Sequence, residues 1–189
     1  MCQGRGMISP WTLPEAAELG GARYPHRTDF RDILEILALL GREDLRLPVR
    51  WFRALGKFYR DPIPYGVYRE ALGYLSEFLT MGQQWPDTGA PLLDWQTDAP
   101  EIAEGVSAVA GRDIRGCGHV HWWTFLGWFH SIGEGRLRTL VDLRQKLRSG
   151  KSLTEEERTF VRQNPQKFRP QESEADKAHR QALEQLLQK

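Results

Sequence analysis

The sequence predicts a mainly α fold: several helices gathered around one aromatic helix, with a small β-hairpin near the N-terminus. Three observations carry that prediction. Apolar residues recur at spacings of three and four in one segment after another, and each segment closes on Gly or Pro. The run His119–His130 packs five aromatic rings into eight residues, with three of the chain's seven tryptophans. Gly20-Gly21 stands between two short stretches, which is a two-residue hairpin signal.

Taken in order, Leu13 to Tyr24 holds the hairpin, which is marginal alone and is expected to lie against helices. Thr28 and Asp29 are N-cap candidates before Phe30, Ile33, Leu34, Leu37 and Leu40, an amphipathic helix closed by Gly41. Asp32 in its first turn suits the positive helix end. Pro48 opens the next helix, with Val49, Phe52, Leu55 and Tyr59 on one face and Trp51 beside it. Pro62 and Pro64 break the chain. A third helix from about Tyr65 to Thr80 turns Tyr68, Ala71, Leu72, Leu75 and Leu79 inward. Gln83 to Pro91 reads as a loop.

Asp94 or Asp98 caps a fourth helix with the stripe Ile102, Val106 and Val109, ended by Gly111. After the break at Gly116–Gly118 comes the aromatic helix, where Trp122, Phe125, Leu126 and Phe129 fall at helical spacing and Trp123 and Trp128 flank them. A helix apolar nearly all round is a buried helix. Each ring buries roughly 150–250 Å², so at roughly 25 cal/mol per Å² a few rings outweigh any single polar contact. The run is too short to cross a membrane, which needs about 20 apolar residues. A sixth helix lines Leu137, Leu140, Val141, Arg144 and Leu147 along one side. Thr154 and Glu157 form a capping box for a short helix that Pro165 stops. Residues 1–12 read as a flexible N-terminus, 13–168 as one helical domain and 169–189 as a charged C-terminal helix or tail.

The chain's 189 residues carry a net charge of +1, so no global field argues for nucleic acid or anionic membrane. The first six residues lack the apolar core of a secretory signal, and Met7 is an alternative start. Two cysteines, Cys2 and Cys117, make a disulfide framework unexpected and fit a reducing compartment.

Cys117, His119, His121 and His130 lie within fourteen residues, but their spacing fits no common structural zinc pattern. His119 and His121, two apart on a helix, would diverge. The plainer account is polar tips of a buried helix, and neither metal nor cofactor is expected. His121, His130, Asp94 and Asp98 are the candidate acid–base groups, yet no nucleophile motif and no Gly-rich phosphate loop accompanies them. Helix caps and core histidines explain them more simply, so no catalytic residue is assigned. Arg136, Arg138, Arg144, Lys146, Arg148 and Lys151 face only Glu134 and Asp142 within their segment, a locally basic helix and a candidate partner surface. Few aromatics interleave with it, which argues against nucleic acid. Arg31 and Arg144 lie near apolar faces, where either suits a buried carboxylate such as Asp98.

Four stretches, read together, resemble one family. They are Tyr24-Pro25-His26-Arg27-Thr28-Asp29-Phe30-Arg31, Leu93-Asp94-Trp95-Gln96-Thr97-Asp98-Ala99, His121-Trp122-Trp123-Thr124-Phe125-Leu126, and the basic segment from Gly133 through Arg144 to Lys151. Their order and spacing are similar to those of the "gene product fifteen" family of tailed bacteriophages and prophages of Gram-positive hosts, over roughly Glu15 to Phe168. The first six residues and the tail after Phe168 depart from the shared region. The family's genes lie between those of the tail tube and the tape-measure protein, as those of tail assembly chaperones do. The resemblance therefore implies a non-catalytic assembly factor that binds the tape-measure protein and other tail proteins, with self-association into a coat. It implies the host-cell cytoplasm, or the virion tail, as its location. Thr28, Asp29, Phe30, Arg31, Asp94, Trp95, Asp98, His121, Trp122, Trp123 and Phe125 occupy the motif positions. Two rival expectations are a structural component kept in the mature tail and a nucleic-acid-binding module built on Arg136–Lys151. Trp11, Trp51, Trp85 and Trp95, outside the aromatic helix, are further candidates for a partner surface.

Overall fold

Eight helices and one hairpin form among the described residues, 11–83 and 92–168, of a computed structural model. In chain order they are β1 (Ala16–Leu19), β2 (Ala22–Pro25), α1 (Phe30–Leu40), α2 (Leu47–Phe58), α3 (Tyr68–Leu79), α4 (Ala99–Ala110), α5 (Trp122–His130), α6 (Arg136–Arg148), α7 (Glu155–Gln163) and α8 (Pro165–Phe168). Single 3₁₀ turns at Tyr65–Val67 and Ile114–Gly116 precede α3 and α5. The fold is thus mainly helical with a small N-terminal hairpin, as the periodicity predicts. The loop expected over Gln83–Pro91 lies outside the described residues from position 84 on, as do Trp85, residues 1–10 and the tail after Phe168.

The chain divides into two compact units. The first comprises the described parts of Met1–Gly41, Leu47–Gly89 and Cys117–Gly127. Its hairpin pairs Ala16 with Pro25 through Leu19 with Ala22, and Gly20 and Gly21 both take positive φ (56° and 80°), the backbone a two-residue turn requires. Gly20 also sits so close to Val67 that a Cβ there would stand 2.8 Å from its Cγ1, and the Gly20 N–H donates to Glu70. The turn is thereby held on the start of α3. Asp29 caps α1 through the Arg31 N–H.

The core of this unit is Phe30, Ile33, Ile36, Leu55, Phe58, Leu75, Phe78, Trp122, Trp123, Phe125 and Leu126. Two faces turn differently from expectation. On α2 the inward residues are Ala54, Leu55 and Phe58, while Val49 and Phe52 point to solvent. On α3 they are Ala71, Leu75 and Phe78, with Tyr68, Leu72 and Leu79 half-buried. Both helices carry large apolar residues on more than one side, so the period alone does not choose the face. The aromatic helix α5 is enclosed over its first half only: Trp122 is 1% exposed, whereas Trp128 and Phe129 are half-buried and His130 is exposed.

The second unit comprises the described parts of Arg42–Arg46, Ala90–Gly116 and Trp128–Lys189. Ile102, Val106, Ile114, Leu137, Leu140 and Leu143 form its apolar core. Leu143 replaces Leu147, which is exposed, and Val109 at the end of the α4 stripe is also exposed. Gly105 lets α4 approach Ile132, since a Cβ would meet its Cδ1 at 2.9 Å. Gly111 ends α4 in the left-handed conformation (φ 67°). The Thr154–Glu157 capping box is present in both directions. Pro165 opens α8 at its first position, where its missing N–H costs nothing, instead of simply ending α7. No described helix is long and apolar enough to cross a membrane.

Candidate interaction surfaces

The first and third motif stretches close on each other in the first unit. Asp29 divides its carboxylate: Oδ1 accepts from the Arg31 N–H that it caps, and Oδ2 accepts from the Val120 N–H at 3.0 Å. The Phe30 N–H donates to the Val120 carbonyl and the Trp122 N–H to the Thr28 carbonyl. Thr28 Oγ1 lies 2.9 Å from His119 Nε2. Arg31 donates to the Gly118 and Cys117 carbonyls, pairs with Asp29 at 3.1 Å and lies 4.5 Å from the centre of the Phe30 ring. Phe30 in turn stacks on Phe125 at 4.6 Å. The indole N–H groups of Trp122 and Trp123 donate to the carbonyls of Leu79 and Phe78, capping the C-terminal end of α3.

His119 and His121 are not on the aromatic helix, as the sequence suggested, but on the extended approach to it. His121 bridges Asp29 in β fashion. Its Nδ1 accepts the Trp123 N–H at 3.1 Å and Nε2 contacts the Pro14 carbonyl at 3.1 Å. A carbonyl only accepts, so Nε2 carries the proton and the ring is a neutral cap for α5. Burial holds its pKa below the ordinary histidine value. Among the described residues no three His, Cys, Asp or Glu side chains gather as a metal site requires.

A histidine that the periodicity left unassigned is buried deeper. His26 is 1% exposed, stacks on Phe58 at 4.4 Å and meets Phe78 edge-on at 4.7 Å. Its Nδ1 contacts the Arg27 carbonyl, and Nε2 lies 3.1 Å from the Tyr74 hydroxyl, which also reaches the Ala16 carbonyl of β1. Burial pushes its pKa down to about 4, partly opposed by the Arg27 carbonyl and aided by His121 and Arg60.

The second and fourth stretches meet in the second unit. Asp98 occupies the N-cap position of α4, but its carboxylate makes no cap bond there. It is wholly buried and takes a two-pronged ion pair from Arg144, at 2.5 and 2.9 Å, and accepts the Asp94 N–H. The remaining Arg144 N–H groups go to the Leu92 and Lys167 carbonyls. Lys167 donates to the Thr97 carbonyl and pairs with Glu101 at 2.7 Å. Asp94 caps its own turn through the Gln96 and Thr97 N–H groups, and Trp95 packs on Phe129 at 4.9 Å. Of the two arginines considered for Asp98, Arg144 is the one that binds it.

The basic helix is therefore less available than its composition suggests. Arg144 is turned inward onto Asp98 and does not belong to a surface. Arg136 lies 3.8 Å from Glu104, Arg138 3.1 Å from Asp142 and Lys146 2.5 Å from Glu157. Arg148 and Lys151 are exposed. Two open depressions lie in this unit, one of about 160 Å³ beside Glu101, Glu104, Ile132 and Arg136 and one of about 410 Å³ beside Asp142, Leu143, Lys146 and Glu157.

Exposed apolar side chains concentrate instead at the α2–α3 edge of the first unit. Phe52 is 61% exposed, Leu47 60% and Tyr65 88%, with Val49 also in solvent. Tyr68 joins them, its ring 6.2 Å from Phe52 and 5.6 Å from Tyr65. The sequence assigned Phe52 and Val49 to the core. The available signal was that α2 has more large apolar residues than one buried face accommodates. Of the tryptophans expected at a partner surface, Trp11 is exposed, and Trp51 and Trp95 are half-buried.

Compared with known proteins, the chain matches no family model, no curated protein and no solved structure.

Proposed function

We propose that this protein is a non-catalytic factor of phage tail morphogenesis, a tail assembly chaperone that holds the tape-measure protein in the host cytoplasm until tube subunits replace it. The reading rests on the resemblance carried by the four motif stretches, and one structural observation favours it. The polar motif residues are occupied in holding the fold, as in Asp29 with Val120 and Asp98 with Arg144, while Leu47, Phe52 and Tyr65 stand in solvent. Exposed apolar side chains clustered in this way suit a protein partner. A long helical client presents amphipathic segments, and these bind by laying apolar anchors at i, i+3, i+4 and i+7 against such a surface. A coat of many copies along a rod would use a head-to-tail contact that does not close into a ring.

Co-expression tests the reading. The tape-measure protein that this reading places in a neighbouring gene is expected to stay soluble when both are made together and to aggregate when made alone. Aggregation in both cases would remove the chaperone role. Mass spectrometry of purified virions then separates a chaperone, absent or at trace level, from a retained tail component at stoichiometric level.

A further inference from the structure

We infer that the α2–α3 edge of the first unit is a docking site for an amphipathic helix with acidic flanks. The apolar part of the site is Phe52, Tyr68 and Tyr65, three rings in a chain from α2 to the start of α3, with Val49 one turn before Phe52 on α2. The charge on α2 has one sign. Helix α2 contains Arg50, Arg53 and Lys57 and no acid. Arg50 donates to the Leu40 carbonyl and Lys57 pairs with Glu35, so these two are used within the fold. The guanidinium groups of Arg53, which follows Phe52 in sequence, and of Arg69, which follows Tyr68, are exposed and make no hydrogen bond or ion pair with any described residue. Glu70, the acid in the first turn of α3, accepts the Gly20 N–H.

An arginine presents a planar fork of donors matched to a carboxylate. Two such forks beside an apolar strip select glutamates that flank an apolar stripe. The edge is helical, so its backbone groups are bonded within the helices and an added β-strand has nothing to pair with. Single-stranded nucleic acid needs a line of cations along its backbone, whereas Val49 supplies aliphatic surface here and Arg50 and Lys57 are used within the fold. Identifying the natural partner as a segment of the tape-measure protein rests on the function proposed above; the chemistry of the site does not.

The test uses the full chain and a designed probe: an 18-residue helix with leucines at i, i+3, i+4 and i+7 and glutamates on both flanks. Its counterpart carries lysine in place of every glutamate. Calorimetry at low salt should give binding of the acidic probe at least tenfold tighter than the lysine probe, with the preference shrinking as salt rises. Phe52→Asp should abolish binding with the circular dichroism spectrum unchanged. Arg53→Glu with Arg69→Glu should invert the preference, a swap that misfolding cannot produce. Equal binding of both probes, or an unaffected Phe52→Asp, overturns the inference. So does a Phe52→Asp whose only effect is on self-association, or an edge that prefers a single-stranded oligonucleotide. If neither probe binds while Phe52→Asp still keeps the tape-measure protein soluble, this site falls and the proposed function stands. If the probes behave as expected and the tape-measure protein is not rescued, the site stands and the tail role falls.

Discussion

Two interiors of this protein are built on opposite principles. The first unit encloses neutral groups: His26 lies among Phe58 and Phe78, and His121 serves as a neutral cap beside Trp123. The second encloses charges: Asp98, with no solvent exposure, is neutralised by Arg144, and Lys167 joins through Glu101. Neutral polar groups are buried at modest cost once hydrogen-bonded, while a buried charge is tolerated only with its partner in place. The first interior should therefore respond to lost volume and to acid, and the second to removal of a single charge.

Removing a ring tests the aromatic side. Trp122→Ala should cost about 3–5 kcal/mol of unfolding free energy, since it opens a cavity where the side chain was fully packed; urea denaturation measures it. A loss below about 1 kcal/mol would mean that α5 is not the centre of its unit. On the ionic side, Arg144→Met strands Asp98 and should also cost about 3–5 kcal/mol. The double variant Arg144→Met with Asp98→Leu should recover most of that loss. If the double variant is as damaged as the single one, the clamp acts by shape and not by charge.

Acid separates the two interiors further. The pKa of His26 falls from 6.5 unfolded to about 4 folded, so between these values the unfolded chain binds more protons. Its contribution is complete above pH 6.5 and is lost as pH falls towards 4, amounting to about 3 kcal/mol at 1.36 kcal/mol per unit. His26→Leu should flatten the profile over that window, and an unchanged slope would place the proton uptake elsewhere. The smallest effect is local. Thr154→Ala removes one half of the capping box and should cost about 1 kcal/mol, with α7 amides exchanging faster by hydrogen-exchange mass spectrometry.

Features decided within a few residues were legible. The Gly20-Gly21 turn is set by backbone conformation, and the Asp29 cap and the Thr154–Glu157 box by bonds to residues no more than three positions away. The candidate surface was not legible. Phe52 has the spacing of a core residue, and only the packing of Ala54, Leu55 and Phe58 turns it outward. On the basic helix no local pattern records that Arg144 turns inward onto Asp98 or that Glu104 and Glu157 come beside Arg136 and Lys146.

Sequence alone determined the helical class, the hairpin and the caps of α1 and α7, because apolar period and capping chemistry act over one or two turns. Tertiary structure decided which face of α2 is buried, which arginine neutralises Asp98 and that His26 is buried neutral. Each of these depends on which distant groups are brought alongside, and burial and charge pairing are properties of that neighbourhood and not of the residue itself.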